Sequence, residues 1–198
     1  MGSLMKDKVS QVVKDFLKVR VQPRGKLLLG ISGGPDSLAL LYTLIKWRSF
    51  FNFELHLAHI DHNWREQSKK EALALQDLAA SYHLPFHLKT LKTFPSSDRE
   101  NWFRKERHRF FLELNKKVSF QAVLLAHHAD DQSETFLKRI CEGSGLIGLG
   151  GLMEEKKIGE LSIWRPFLFL RKREIEDWIK DQDLNPFYDV TNFDINYL

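Results

Sequence analysis

Two kinds of apolar pattern alternate along the chain. Short continuous apolar runs predict buried strands, at 26–31, 53–59, 85–88 and 122–126. Longer segments, in which apolar residues recur every three or four positions, predict helices at 5–20, 38–47, 66–82, 98–115, 131–141 and near 172–182. Alternation of this kind predicts an α/β fold, with a parallel sheet covered by helices on both faces.

Polar clusters directly follow three of the predicted strands. They lie at 32–37, 59–65 and 127–134. Ligands of parallel sheets bind beyond the carboxyl ends of the strands. The three clusters are therefore expected to meet at one edge of the sheet and to form the functional site there. From residue 142 the pattern changes to a glycine-rich stretch and then an irregular tail.

Composition agrees with one globular α/β domain and narrows its chemistry. The chain has 198 residues, 43% hydrophobic and 28% charged, which is enough for a buried core. No apolar run reaches the roughly 20 residues that cross a bilayer, so no membrane partner is expected. The one cysteine, Cys141, excludes an internal disulfide and a Cys-x-x-Cys pair, and it suits a cytoplasmic location. The net charge of +4 is a mild bias toward polyanions.

The first cluster has the features of a phosphate-binding loop. It reads Ser32-Gly33-Gly34-Pro35-Asp36-Ser37, between a predicted strand and a predicted helix. Glycines allow close approach of the backbone to an anion, and the N–H groups at the helix start point to the same place. Asp36 would repel phosphate unless a cation lay between them, so it is assigned to Mg²⁺. The missing Gly-Lys-Ser/Thr excludes a Walker loop. The alternative is a glycine turn that caps a helix.

The second cluster contains His59, Asp61, His62 and Arg65. Two imidazoles and a carboxylate are possible zinc ligands, but zinc would need another ligand from elsewhere. A hydrogen-bonded loop that caps the next helix is the simpler interpretation. We favour a loop on the nucleotide side, with Arg65 near the phosphates or a nucleic acid.

The third cluster contains His127, His128, Asp131 and Glu134. Asp131 and Glu134 share one face of a helix, and like charges so close favour a cation between them. With Asp36 they suggest a Mg²⁺ site and a polarising wall for the substrate. Ordinary capping of a helix start is the alternative. The two histidines are candidates for anchoring phosphate or moving a proton.

The helix at 98–115 carries two arginines on one face, Arg104 and Arg107. Arginine forms bidentate bonds to phosphate or carboxylate. Anion binding and a solvated face, with Glu100 and Arg104 as an i,i+4 pair, both remain open.

Taken together, these motifs resemble the family of bacterial tRNA(Ile)-lysidine synthetases, within the PP-loop or N-type ATP pyrophosphatase superfamily. The matching strings are 32–37, 59–62 with Arg65, the Glu100/Arg104/Arg107 helix, 127–135, 143–149, Arg165-Pro166-Phe167 and Asp189-Val190-Thr191-Asn192. The resemblance implies a five-stranded parallel, Rossmann-like sheet of the adenine-nucleotide alpha-hydrolase type. It also implies an ATP-dependent ligase that adenylates the wobble cytidine of tRNA(Ile) with a CAU anticodon and then joins L-lysine to its C2.

The resemblance also assigns the site residues. The catalytic group comprises Asp36, Asp131, Glu134, Arg107 and His128, and ATP contacts the loop Ser32–Ser37 together with His59, Asp61, Arg65 and His127. Asp36 and Asp131 would hold Mg²⁺, while Asp131 and Glu134 compete for a second role, binding the lysine ammonium. A homodimer is left open.

The resemblance further implies one N-terminal catalytic domain over 1–198, with a core at about 22–182, and tRNA-binding domains beyond it. An Arg-Asn-type family segment after Asn192 is absent, so this chain is expected to bind ATP and to be weak or inactive on tRNA. Rival functions are another PP-loop tRNA ligase or a non-catalytic ATP-binding module. A cytidine thiolase usually needs more cysteines than this chain has.

Overall fold

Helices and strands alternate in the computed structural model, which describes residues 7–63, 66–93, 95–143 and 150–182, with the backbone alone at 66 and 67. The helices are α1 (Lys8–Arg20), α2 (Pro35–Phe51), α3 (Glu66–Ser81), α4 (Arg99–Val118), α5 (Ala129–Cys141) and α6 (Lys172–Asp181). The strands are β1 (Lys26–Gly30), β2 (Glu54–Asp61), β3 (Phe86–Thr90), β4 (Ala122–Leu124), β5 (Glu155–Ile158) and β6 (Leu161–Trp164). Arg65, residues 144–149 and the string 189–192 lie outside the described residues.

The strands form one sheet in the order β3-β2-β1-β4-β6-β5. Five neighbouring strands are parallel, from β3 to β6, which confirms the predicted parallel sheet. The sixth strand, β5, runs antiparallel to β6 at the edge. Because β1 lies between β2 and β4, the loop that follows it is near the centre of the carboxyl edge.

Helices cover both faces of the sheet, as the alternation of strand and helix predicts. Leu27 and Leu29 of β1 belong to the core that also contains buried residues of α1, α2, α3 and α6. Leu28 points to the other face, where Phe111 of α4 and Val123 of β4 pack against it. Each of these leucines is fully buried, which stabilises the fold by about 1.5–3 kcal/mol per side chain.

The strands β5 and β6 do not stand out in the hydrophobic pattern. Three of the four residues of β5 are exposed, and charged side chains are typical of an edge strand because they discourage pairing with other chains. Strand β6 is four residues long and follows at once. The region around Trp164 is thus a hairpin that supplies the fifth parallel strand.

Two helix boundaries differ from the apolar pattern for local reasons. Helix α2 begins at Pro35, because the fixed φ of proline suits the first position of a helix. It continues to Phe51 and ends at Asn52, which adopts the left-handed conformation. Helix α5 begins at Ala129, two residues before the predicted start, because His128 caps it. Among the described residues, no helix is both long and apolar enough to span a membrane.

Candidate active site at the carboxyl edge of the sheet

The loop after β1 is organised from inside by the hydroxyl of Ser37. Its Oγ accepts the N–H groups of Ser32 at 3.3 Å and Gly33 at 3.1 Å, and it donates to the carbonyl of Gly34 at 2.9 Å. Gly33 has a φ of +89°, a conformation that residues with a Cβ rarely adopt. The buried Ser37 therefore shapes the loop from inside.

The start of helix α2 provides the anion-binding character of the loop. Gly34 is the N-cap and makes no side-chain capping bond, and Pro35 has no N–H group to leave unsatisfied. The following N–H groups of the first turn have no acceptor within the helix, and the helix dipole places partial positive charge there. This arrangement suits a phosphate group.

Asp36, on the same turn, is a carboxylate with an incomplete environment. Its Oδ1 is buried and has no hydrogen-bond partner among the described residues, while its Oδ2 lies 3.7 Å from Nε2 of His128. Burial raises the pKa of Asp36, and the nearby charge of Asp131 raises it further, whereas His128 and Lys172 act in the opposite direction. A buried carboxylate oxygen without a donor is a natural ligand for a cation.

His128 connects Asp36 to the start of helix α5. Its Nδ1 accepts the backbone N–H of Asp131 at 3.4 Å, and Oδ2 of Asp131 accepts the backbone N–H of His128 at 2.7 Å. These two bonds form a capping box. Because Nδ1 accepts, the hydrogen-bond pattern places the proton of the neutral ring on Nε2, the atom that faces Asp36.

Helix α6 begins with Lys172, a residue that the sequence analysis did not single out and whose charge lowers the pKa of Asp36. The backbone N–H of Lys172 donates to Oδ2 of Asp130 at 2.8 Å, which ties the start of α6 to the start of α5. Glu134 is exposed one turn further along α5. We call Asp36, Asp130 and Asp131 the acidic half of the site.

A second group of side chains lies next to it and is basic. Arg165, directly after β6, is buried. Its Nε donates to Nδ1 of His127 at 3.0 Å, and one Nη donates to the carbonyl of Met153 at 2.8 Å. Arg107 of α4 completes the group, and its buried Nε has no partner among the described residues. We call Arg107, Arg165 and His127 the basic half of the site.

Burial and mutual repulsion change the titration of the basic half. Burial is the main reason that the pKa of His127 falls from 6.5 to about 3, and the charges of Arg107 and Arg165 add to it. Burial likewise lowers the pKa of Arg165, with a contribution from Arg107. His127 is therefore a neutral acceptor at physiological pH.

The structure separates the two arginines of α4. Arg104 is exposed and donates to Asn101 at 2.9 Å, while the charge of Arg107 contributes to the low pKa of His127. Glu100 pairs with Lys138 of α5 at 2.5 Å instead of the i,i+4 pair with Arg104. The solvated-face interpretation thus fits Arg104, and the anion-binding interpretation fits Arg107.

The second cluster begins within β2, which continues to Asp61, so His59 and Asp61 belong to the strand and not to a loop after it. Its hydrogen bonds support the phosphate loop. The ring of the buried His59 lies 2.8 Å, through Nδ1, from the carbonyl of Ile31, the residue just before Ser32. Asp61 is buried and accepts the N–H of Asn63 at 2.7 Å. His62 packs against the ring of Phe103. None of these three contacts involves helix α3, so the interpretation as a loop that caps this helix stays a prediction. The described residues contain no group of three His, Cys, Asp or Glu that could hold a metal.

The fold and the glycine loop after β1 are those of a PP-loop domain. Residues 3–198 match the family model of the PP-loop domain, and the chain belongs to this family of ATP-utilising proteins. It is 40% identical over 187 residues to a tRNA(Ile)-lysidine synthase of Protochlamydia amoebophila, a match that covers 94% of this chain and 41% of that protein. A protein of the same name from Clostridium perfringens strain 13 is 33% identical over 199 residues, with coverages of 98% and 41%.

A third relative of that name, from Chlamydia trachomatis serovar D, is 37% identical over 176 residues, with coverages of 87% and 54%. The chain thus spans about half the length of the curated relatives it matches, or less. Among solved structures, a U34-tRNA thiolase of Methanococcus maripaludis superposes with a TM-score of 0.79 at 15% identity, over 94% of this chain and 67% of that one. An NH3-dependent NAD synthetase of Campylobacter jejuni gives 0.53 at 21% identity, over 96% and 74%. At such identities the likeness shows the fold alone.

Proposed function

We propose that this chain is the catalytic domain of a tRNA(Ile)-lysidine synthase. The enzyme would join L-lysine to C2 of the wobble cytidine in tRNA(Ile) with a CAU anticodon, at the expense of ATP. Support comes from membership of the PP-loop family and from the 40% identity to a relative of that name. The observation that carries most weight is the union of the anion-binding loop with Asp36, His128 and Asp131 at one edge of the sheet.

The reaction has two steps. The cytidine O2 attacks the α-phosphorus of ATP, and pyrophosphate leaves. The ε-amine of lysine then attacks C2, gives up a proton, and AMP leaves with the former O2. The base must leave the stacked anticodon loop to reach the pocket, as is usual in single-stranded RNA recognition.

The first-turn N–H groups of α2 would bind the phosphates of ATP, since they are the donors that the loop does not use itself. Asp36 and Asp131 fit the ligand set of Mg²⁺, which commonly binds to one or two carboxylates together with substrate phosphates. Oδ1 of Asp36, which has no hydrogen-bond partner within the described ranges, is the atom that such an ion would satisfy. When bound, Mg²⁺ would neutralise charge on the phosphates.

The remaining charged residues would act on the substrates. His128 places Nε2 3.7 Å from Oδ2 of Asp36, where it would help to orient this carboxylate toward the phosphates. Asp131 already uses Oδ2 in the capping box, which favours the exposed Glu134 as the group that binds the lysine ammonium and accepts its proton. Arg107 would stabilise negative charge that develops at the α-phosphate.

A pyrophosphate-release assay tests this function. The natural full-length protein is supplied with ATP, Mg²⁺, L-lysine and tRNA(Ile), and each component is omitted in turn. We expect pyrophosphate release to require the tRNA, and AMP release to require lysine as well. ATP binding without pyrophosphate release would instead indicate a non-catalytic module, and release that is independent of tRNA would indicate another acceptor.

A further inference from the structure

The peptide group that joins Ile31 to Ser32 is hydrogen-bonded at both of its ends. Its carbonyl oxygen lies 2.8 Å from Nδ1 of His59, and its N–H group donates to Oγ of Ser37 at 3.3 Å. A peptide group is planar, so its C=O and N–H point in opposite directions and cannot rotate separately. The two side chains therefore fix the orientation of the unit with which the phosphate loop begins.

His59 reaches this carbonyl from the neighbouring strand. It belongs to β2, where Ala58 pairs with Gly30 and the carbonyl of Ala58 accepts the N–H of Ile31 at 2.9 Å. A carbonyl oxygen can only accept a hydrogen bond, so Nδ1 of His59 carries the proton and donates it. Both His59 and Ile31 are buried. Removal of the donor would therefore leave a buried acceptor unsatisfied, which is costly.

The orientation of this peptide group affects the groups that suit a phosphate. The hydroxyl of Ser37, which accepts from Ser32, also accepts the N–H of Gly33 at 3.1 Å and donates to the carbonyl of Gly34 at 2.9 Å. Gly34 is the N-cap of α2, and the N–H groups of the first turn follow it directly. A rotation of the first peptide group would thus disturb the hydrogen bonds that connect it to the start of this helix.

Resting on the ATP-dependent function proposed above, we propose that His59 is a positioning residue for ATP, which acts through the carbonyl of Ile31 and does not touch the nucleotide. The family resemblance groups His59 with the residues that contact ATP, and an indirect role leads to different expectations. A residue that positions the phosphate-binding groups acts on the bound substrate and on the transition state alike. Its loss therefore raises KM for ATP more than it lowers kcat.

The test uses the natural full-length protein and two replacements of His59. His59→Leu removes the donor, and it should weaken equilibrium binding of ATP with Mg²⁺ by about 10-fold, because a buried acceptor is left unsatisfied. His59→Asn carries an N–H donor on the δ atom, as Nδ1 does, and it should bind ATP within about twofold of the wild type. In pyrophosphate-release kinetics, His59→Leu should raise KM for ATP by about 10-fold and leave kcat within about twofold.

Two competing ligands and a matched control separate positioning from direct contact and from damage to the strand. Pyrophosphate should bind to His59→Leu about 10-fold more weakly than to the wild type, whereas the affinity for adenosine, which has no phosphate, should be unchanged. His56→Leu replaces another buried histidine of β2, whose Nδ1 lies 3.0 Å from Nε2 of His87, and it should leave ATP binding unchanged. Far-ultraviolet circular dichroism identifies a variant that fails to fold. If His59→Leu does, His59→Gln takes its place, since its donor lies one bond farther from the backbone.

Four results would overturn the inference. Wild-type affinity for ATP in His59→Leu would show that the loop is held without this bond, and an Asn variant as weak as the Leu variant would show that the donor is not what matters. Equal losses of adenosine and pyrophosphate affinity would indicate that the ring contacts the nucleoside. The same loss in His56→Leu would assign the effect to damage of β2.

A failure of the proposed function gives a different result. The binding measurements need neither tRNA nor lysine. The expected affinities for ATP and pyrophosphate, without any tRNA-dependent release of pyrophosphate, would refute lysidine formation and would support the positioning role. A wild-type protein that does not bind ATP would refute both.

Discussion

The acidic and basic halves of the site are held in place by different means. In the acidic half, the capping box positions Asp131, and the backbone of Lys172 bonds to Asp130. Partial positive charge at the start of α5 also favours these carboxylates. In the basic half, the partners of the Arg165 guanidinium among the described residues are a neutral imidazole and a carbonyl. The fold thus explains most of the acidic half without a ligand, and it leaves the basic half unexplained.

This difference distinguishes charged residues that stabilise the fold from charged residues that serve the function. A residue that completes a helix cap contributes to stability whether or not it has a second role. A charge that the fold does not balance is retained at a cost to stability, as is common at functional sites. Asp36 is the exception within the acidic half, since its Oδ1 has no hydrogen-bond partner in the described part of the chain and burial raises its pKa.

The largest effect on activity is expected when Asp36 is replaced. Replacement by Asn should reduce tRNA-dependent pyrophosphate release by about 100-fold to 1,000-fold, because a charge that acts on the phosphates is lost. The raised pKa means that the ionised carboxylate destabilises the folded state above that pKa, so Asp36→Asn should unfold at the same or a higher temperature. Asp177→Asn, at an exposed position, serves as the control, and a fall in both activity and stability would contradict the assignment.

A smaller effect is expected for Arg107. Arg107→Gln should lower the rate of tRNA-dependent pyrophosphate release by about 10-fold to 100-fold, because charge at the α-phosphate is less stabilised. It should change the free energy of unfolding by less than about 1 kcal/mol, since no acid is left unpaired. Steady-state kinetics and urea denaturation measure the two quantities. Exposed Arg104 of the same helix provides the comparison in Arg104→Gln, and a severe loss of stability in Arg107→Gln alone would identify Arg107 as a structural residue.

Replacement of Asp131 should lower the stability of the fold, unlike replacement of Asp36. Asp131→Ala removes one side of the capping box and should lower the free energy of unfolding by about 1 kcal/mol. Asp131→Asn keeps an acceptor oxygen and should lose less. Ser133→Ala, an exposed position on the same helix, should change little. Urea denaturation checks the order, and an unaffected Asp131→Ala would show that the cap contributes nothing.

The smallest expected effect is the pH dependence caused by His127. Its pKa is about 3 in the folded state and 6.5 otherwise, so the unfolded chain binds more protons in this window and stability falls as the pH drops below 6.5. The groups that face the ring are Arg107, Arg165, His128 and His108, none of them an acid that would favour protonation. His127→Asn should flatten the curve between pH 6.5 and 5 by less than about 1.4 kcal/mol per pH unit.

Much of the fold and half of the site can be predicted from the sequence. The loop 32–37 can be recognised in the sequence because a predicted strand, two glycines and a helix start follow one another directly. Arg165 appears in the sequence analysis only within a string that matches the family and has no role assigned to it, because it follows a four-residue strand whose partner β5 is mostly exposed. The inward hydroxyl of Ser37 also escapes prediction, since its direction depends on the path of the backbone at Gly33. Pairing of Glu100 with Lys138 needs the packing of two helices that sequence alone does not specify.

The central position of β1 has a consequence for how the chain folds. Leu27 pairs with Leu55 on one side and with Ala122 on the other, so the loop and helix α5 meet only after a contact of long sequence separation has formed. Contacts of this kind are slow to form, because loop-closure entropy must be overcome first. Ligand affinity should therefore arise late in folding. A ligand at 100 times its Kd would then add about 2.7 kcal/mol to the stability of the finished domain alone, and would report that folding is complete.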